Sequence, residues 1–329
     1  MQKCIKLHFI DGCSEDSTYK NFLPQGYVLD SINPDFIFYD IFGKAEHIKY
    51  DCIRIFCTGE NVRPDFNFCD YAISFDYLEF EDRHLRYPLY LNTTSFRQIC
   101  DNERDKTYSF GEEALNRKFC SFVVSNSKAD SLREEFFNAL SEYKRVDSGG
   151  RYKNNIGAPI NDKHKFLSQY KFNIAFENSA THGYITEKIF DAKVAGSIPI
   201  YWGDSTISKP LSNLGGGLNE KAFINISSFK NIYEAIEFIK YLDSNNEAYL
   251  KMLNAPLLQD KNHDKIFDER LKNFFDHIFS QNKEQAYRRG FGQWRLNIEK
   301  RYKKFQHTRN IIIKLTNIWR FLILKIPQK

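Results

Sequence analysis

Short apolar runs recur along the chain, separated by polar, turn-rich segments. Residues 3–9 alternate, with Ile5, Leu7 and Phe9 on one side. Continuous runs follow at 35–39, after an Asn33-Pro34 turn, at 52–57 and at 71–75. Each suits a strand, and the intervening segments suit helices or loops, which predicts an α/β sheet of mostly parallel order. A second set opens at 119–124. It continues through a helix over 129–143, where Leu132, Phe136, Phe137 and Leu140 recur at helical spacing. Residues 172–203 then read as strand, polar loop, helix, strand. The run 172–176 is a buried strand. The helix at 185–195 puts Ile185, Ile189 and Ala192 on one face and stops at Gly196, and 198–202 is the next strand. A short strand is expected at 223–226, and further helices at 163–170, 232–241, 247–253 and 267–279. Periodicity is weak between 92 and 116, where the pattern places a connection. The predicted division is an α/β unit over 1–115, a second over 116–284, and a helical tail over 285–329. Flexible loops are expected at 146–157 and 212–217.

Charge separates the tail from the rest. The chain of 329 residues carries a net charge of +5, yet from Tyr287 to Lys329 the only acid is Glu299, so the body is slightly acidic. In the tail, Ile311, Ile312, Ile313, Leu315, Ile318, Trp319 and the run 321–324 interleave with Lys and Arg. That mixture suits an interfacial helix on an anionic bilayer better than a nucleic-acid arm; docking onto the body is a third option. No nucleic-acid partner is expected. No stretch reaches the roughly 20 apolar residues of a membrane span, and no apolar segment of signal type stands at the start.

Composition excludes global disorder: 42% of residues are hydrophobic and 16% aromatic, with 30 Phe and 19 Tyr against 2 Met. Seven cysteines lie in the first 120 residues without a C-x-x-C pair, which argues against a disulfide framework or zinc site and fits a reducing cytoplasm. Cys52 and Cys120 are expected as buried thiols. Asp101, Glu103 and Asp105 alternate, but no strand precedes them, and the segment reads as a solvated turn rather than a metal site. Dinucleotide and P-loop glycine fingerprints are absent.

Three residues stand out by position. Lys188 falls in the first turn of a helix that follows a strand, with Thr186 as a possible cap and Glu187 suited to the macrodipole. A cation there opposes the dipole by roughly 0.3–1 kcal/mol unless an anion sits beside it. A solvated surface lysine is the alternative. Arg133 has the same placement in the preceding unit, and two such cations make a shared anion pocket more plausible than either alone. Glu60 follows the strand 52–57 and Gly59, so it projects at the carboxyl edge, where open α/β sheets bind ligands. A solvent-exposed loop glutamate is the alternative.

The segment FENSATHGYITEKIFDAKVAGSIPIYWGD resembles the signature of the family 10 glycosyltransferases, the α1,3/4-fucosyltransferases, in their short bacterial form. TGEN at 58–61, FCDYAISFD at 68–76, FVVSN at 122–126 and FKNIYEAIEFIKYL are similar to that family too. The resemblance implies a GT-B fold, two Rossmann-like domains facing across a cleft, followed here by the basic amphipathic tail. It implies GDP-fucose as donor, an oligosaccharide acceptor of N-acetyllactosamine type, and inverting transfer to GlcNAc O3 in Lewis-type antigen or lipopolysaccharide O-chain synthesis. Arg133 and Lys188 would hold the pyrophosphate. Asn178 and Tyr184 would line the donor pocket, Glu187 would reach the ribose or the fucose, and Glu60 would be the general base. No cofactor or metal would be required, a divalent cation being at most a stimulant. With the tail on an anionic surface, the expected location is the inner face of a bacterial membrane. The alternatives are another GDP-sugar, linkage or acceptor, or a non-catalytic nucleotide-sugar binding protein.

Overall fold

The computed structural model describes residues 4–16, 18–107, 109–209, 217–289 and 293–323, with only part of the side chains in the last segment. Six strands form the first sheet: β1 (Lys6–Ile10), β2 (Val28–Leu29), β3 (Phe36–Tyr39), β4 (Ile53–Cys57), β5 (Tyr71–Ser74) and β6 (His84–Arg86). Their order is β2-β1-β3-β4-β5-β6, and every pairing is parallel. Helix α1 (Thr94–Asp105) leads to the second unit. There β7 (Lys118–Phe122), β8 (Val146–Ser148), β9 (Tyr170–Phe176), β10 (Ile198–Trp202) and β11 (Ile224–Asn225) pair in the order β11-β10-β9-β7-β8, again parallel throughout. The accompanying helices are α2 (Leu132–Tyr143), α3 (Lys163–Leu167), α4 (Lys188–Val194), α5 (Ile232–Ser244) and α6 (Asn246–Leu253). All seven residues of β9 are buried, the pattern of a central strand covered on both faces. Its polar members are satisfied inside: Asn173 donates to Ser121, and Lys171 to Asp243 at 3.0 Å.

The strands of the hydrophobic pattern are present, and the additions are the short or polar ones. β2, β6 and β8 carry two or three residues each, too few to show a period, and β8 lies in the stretch expected to be loop. The connection at 92–116 contains α1, capped by the Thr93 hydroxyl, which accepts the Phe96 N–H. The segment expected as a solvated turn is the end of this helix. Glu103 within it is buried, and its carboxylate accepts the N–H groups of Leu257 and Leu258. The helix expected from 185 begins at Lys188, because Thr186 gives both its N–H and its hydroxyl proton to Glu177 instead of capping.

α1 is also the joint between the units. Phe190 of α4 stacks on Tyr90 at 4.7 Å and meets Phe96 edge-on at 5.4 Å. Ser95 donates to Asp191 at 2.5 Å. One continuous apolar cluster therefore runs from the first sheet through α1 into α4.

After the second sheet the chain returns. α7 (His263–Ser280) falls within the span 116–284 assigned above to the second unit, yet it packs on the first sheet. Phe275 meets Phe38 and Tyr19 edge-on at 5.8 and 6.1 Å, and Phe279 meets Phe36 at 4.9 Å. Arg97 grips Asp268 with two bonds of 2.7 Å. α8 (Lys283–Ala286) follows, and the first basic residues of the tail continue the docking. Arg288 pairs with Asp82, and the backbone N–H groups of Arg288 and Arg289 donate to the buried Asp70. α9 (Gln293–Ile323) then carries exposed Ile298, Phe305, Ile311, Ile312, Ile313 and Leu315. The side chains of Ile318, Trp319 and 321–324 lie outside the described residues, as does the loop 212–217 apart from Gly217. Among the described residues no helix is long and apolar enough to cross a membrane.

Candidate active site

The loops that leave the carboxyl ends of β4 and β9 meet. Asn61, next to Glu60, donates to Ser179 at 2.6 Å and to Thr181 at 2.7 Å, so the first unit's TGEN loop is tied directly to the second unit's polar loop. Gly183 in that loop has φ of 84°, and a Cβ there would meet the Phe75 carbonyl at 2.8 Å and the Tyr77 ring. Only glycine accepts both the backbone conformation and the approach. Asp204, buried, accepts the Gly183 N–H, while Arg86 from β6 donates to the Gly183 carbonyl and lies over the Tyr77 ring at 4.2 Å. The loop is thus pinned from both sheets.

The two candidate cations lie in the first turns of α2 and α4, which cover opposite faces of the second sheet, yet Arg133 is close enough to act on the Lys188 ammonium. Arg133 is 2% exposed, so the exposed-arginine alternative does not hold. Its guanidinium donates to Asn178 Oδ1 at 3.1 Å and to the Asn126 carbonyl. Burial lowers its pKa from the arginine range, and such a group remains charged at physiological pH. Lys188 is largely buried and donates to Glu177 at 2.9 Å and to Thr186 Oγ1 at 2.8 Å, with Glu187 at 3.8 Å. Burial works against its ammonium, but Glu177 and Glu187 outweigh that and hold its pKa above the ordinary lysine value; Arg133 is near enough to act in the opposite direction. The anion that the dipole argument demanded beside Lys188 is, in the chain itself, Glu177.

Tyr184 links the two sides. It is 2% exposed, packs edge-on against Phe75 of the first unit at 5.4 Å, and has its phenol pushed up by burial and by Glu177, Glu60 and Glu187. Glu60 is partly exposed, and its backbone N–H donates to Thr58 Oγ1 at 3.2 Å. Glu187 is desolvated, but Lys188 and Lys163 bring its carboxyl below the usual range. Arg133, Asn178, Glu187 and Lys188 therefore form one polar group, with Tyr184 between it and Glu60. Among the described residues no group of His, Cys, Asp or Glu could hold a metal ion.

Sequence reasoning missed Asn61, Arg86, Asp204 and Glu177. For Glu177 a signal existed. A carboxylate that directly follows a wholly buried strand needs partners, and Thr186 and Lys188 stand nine and eleven residues further along the chain.

Two parallel-sheet units whose carboxyl edges face each other across a polar site define a GT-B-like α/β protein. Residues 7–92 match the model of the α-(1,3)-fucosyltransferase FucT N-terminal domain, and residues 114–255 the model of the glycosyltransferase family 10 (fucosyltransferase) C-terminal region. The chain belongs to glycosyltransferase family 10. It is 40% identical over 249 residues to the α-(1,3)-fucosyltransferase FucT of Helicobacter pylori, covering 67% of this chain and 50% of that protein. It is 32% identical over 145 residues to 4-galactosyl-N-acetylglucosaminide 3-α-L-fucosyltransferase 9 of Homo sapiens, covering 44% of this chain and 38% of that one. The chain thus spans about half or less of these relatives' lengths. A crystal structure of an α1,3-fucosyltransferase with GDP-fucose superposes with a TM-score of 0.69 at 30% identity, covering 86% of this chain and 93% of that one.

Proposed function

We propose that this protein is an inverting α1,3-fucosyltransferase that moves fucose from GDP-fucose to O3 of a GlcNAc in an N-acetyllactosamine-type glycan. The observation that carries this reading is that Tyr184 feels Glu60 of one unit together with Glu177 and Glu187 of the other, the two carboxylates that also act on Lys188 beside Arg133. The names of the relatives and the GDP-fucose bound to the solved neighbour support the donor, and the human relative's name supports the acceptor class.

In the proposed reaction Arg133 and Lys188 bind the diphosphate and stabilise the charge it gains as it leaves. Asn178 keeps the Arg133 guanidinium in place while lining the pocket with Tyr184, and Glu187 contacts the ribose or the sugar. The acceptor hydroxyl attacks fucose C1 from the face opposite GDP, through an oxocarbenium-like transition state of the kind glycoside cleavage uses. Glu60 removes the hydroxyl proton. The bond from C1 to the diphosphate oxygen breaks as the new glycosidic bond forms, so a β-linked donor gives an α-linked product. The charge that the diphosphate needs is supplied by the two side chains, and on this reading no divalent ion is required, although one could stimulate.

We extend the proposal to location. The exposed apolar residues of α9 among basic ones support binding to an anionic bilayer at its cytoplasmic face, where Lewis-type or lipopolysaccharide O-chain acceptors would be met. The experiment is a screen of GDP-sugars against glycan acceptors, with and without chelator, with the product linkage read by NMR. GDP release with an α1,3-linked fucosyl product is expected. GDP-fucose binding without transfer to any acceptor would refute the catalytic reading.

A further inference from the structure

Glu177 has no part in the reaction as described, yet it is the most enclosed carboxylate at the site. It is 0% exposed, at the end of β9. The Thr186 N–H donates to one oxygen at 2.7 Å, and the Thr186 hydroxyl and the Lys188 ammonium donate to the other at 2.7 and 2.9 Å. Lys188 also donates to the Thr186 hydroxyl oxygen at 2.8 Å, which leaves that hydroxyl's own proton for Glu177. Every contact to the carboxylate is thus a donor. The Thr186 N–H and the Lys188 ammonium can only donate, so these contacts favour the ionised carboxylate and oppose burial, which raises the Glu177 pKa. Behind it, a Cβ on Gly203 would meet the Glu177 Cγ at 2.7 Å and the Tyr201 Oη at 2.6 Å, so only glycine at 203 leaves room for the carboxylate stem in this position.

We propose that Glu177 is a positioning residue for donor binding: through Thr186 and Lys188 it fixes the ammonium beside Arg133, so that both cations meet one nucleoside diphosphate. This rests on the reading of Arg133 and Lys188 as the diphosphate site. A lysine side chain free to rotate pays for its ordering when ligand arrives; here the triangle of Glu177, Thr186 and Lys188 has paid it already. The same contact keeps the lysine charged. The groups facing it are Glu177 just after β9, the adjacent Glu187, Arg133 from α2 and, through Glu187, Lys163 of α3; Tyr184 shares Glu177 and Glu187 with it and also feels Glu60. Without Glu177, burial and Arg133 both favour neutral lysine, and Glu187 alone opposes them.

The test is the pH dependence of GDP affinity, measured by calorimetry on the full chain for wild type and Glu177→Gln. Taking the ratio of dissociation constants at each pH cancels the titration of the nucleotide itself. Wild-type Lys188 has a raised pKa, so its contribution persists into the alkaline range. In Glu177→Gln the lower pKa makes that contribution disappear as pH rises through it. The ratio of variant to wild type is expected to grow at least about twofold between about pH 7 and pH 9.5, the growth reached when the variant's lysine has lost half its charge at the upper limit. In Glu177→Gln/Lys188→Arg the guanidinium does not titrate, and the growth should vanish. A ratio independent of pH in Glu177→Gln, or one that grows equally in the double variant, overturns the proposal. Glu177→Gln/Lys188→Met, which leaves no unpaired buried charge, separates the two levels of the argument. If it binds GDP as tightly as wild type at about pH 7, the diphosphate reading itself fails; if it binds more weakly while the Glu177→Gln ratio is flat, only the positioning role fails.

Discussion

Glu60→Gln is the substitution that bears most directly on the proposed chemistry. It exchanges one carboxylate oxygen for an amide nitrogen and keeps the side chain's size. Among the described residues no hydrogen bond or ion pair engages the Glu60 carboxylate, whose neighbourhood contacts are made by its backbone N–H to Thr58 and its carbonyl to Val62. The backbone bonds survive the change, so folding stability should move by less than about 0.5 kcal/mol, as for surface substitutions away from special features. Donor affinity should barely respond. Glu60 belongs to the first unit and the paired cations to the second, and even at about 10 Å in a solvated cleft one unit charge is worth roughly 0.4 kcal/mol, about a factor of two. The removed charge is also one of three carboxylates acting on Tyr184, so any change should favour binding. Turnover is the exception. Losing a positioned general base costs about 10²–10⁴ in rate, or roughly 3–5 kcal/mol of barrier. The assay is initial-rate GDP release with acceptor in excess, beside calorimetric GDP binding and thermal melting of the same preparation. A fall of at least about a hundredfold in kcat, with Kd and Tm nearly unchanged, is expected. Undiminished kcat, or loss of kcat only in step with lost stability, would refute Glu60 as the base.

Arg133→Ala should weaken GDP binding about 10–100-fold, the worth of a charge-assisted hydrogen bond, and titration calorimetry that finds unchanged affinity removes Arg133 from the phosphate site. Phe275→Ala should cost about 3–5 kcal/mol in a denaturant titration, because the ring is 0% exposed and packs on Phe38 and Tyr19; a loss under about 1 kcal/mol would mean α7 is not integral to the first sheet. His263, buried against Arg86 and bonded to Tyr90 at 2.8 Å, is brought down by burial and by Arg86 to a pKa of about 4, so the unfolded chain binds more protons below its ordinary 6.5. Stability should therefore fall as pH drops from about 6.5 towards 4, by up to roughly 3 kcal/mol, and His263→Gln should lose that part of the acid limb in urea titrations at stepped pH.

The sequence by itself determined the two parallel-sheet units, because buried strands must be apolar along their length and such runs are visible without any partner. It also placed Glu60 just after a strand and Arg133 and Lys188 in the first turns of helices, since one βα unit fixes which residues follow its strand and open its helix. What it could not determine was anything paid for by a distant partner. α1 looked like charged linker because Glu103 is satisfied by Leu257 and Leu258, over 150 positions away. α7 looked like part of the second unit because its phenylalanines show a buried face without saying which sheet buries it. Arg133 and Lys188 could equally have been solvated, and only the fold surrounds them with Asn178, Glu177 and each other. Glu177 read as one more loop residue, for the same reason. Local periodicity records how much apolar surface an element must hide, whereas the choice of partner depends on contacts the chain makes only once both units have closed.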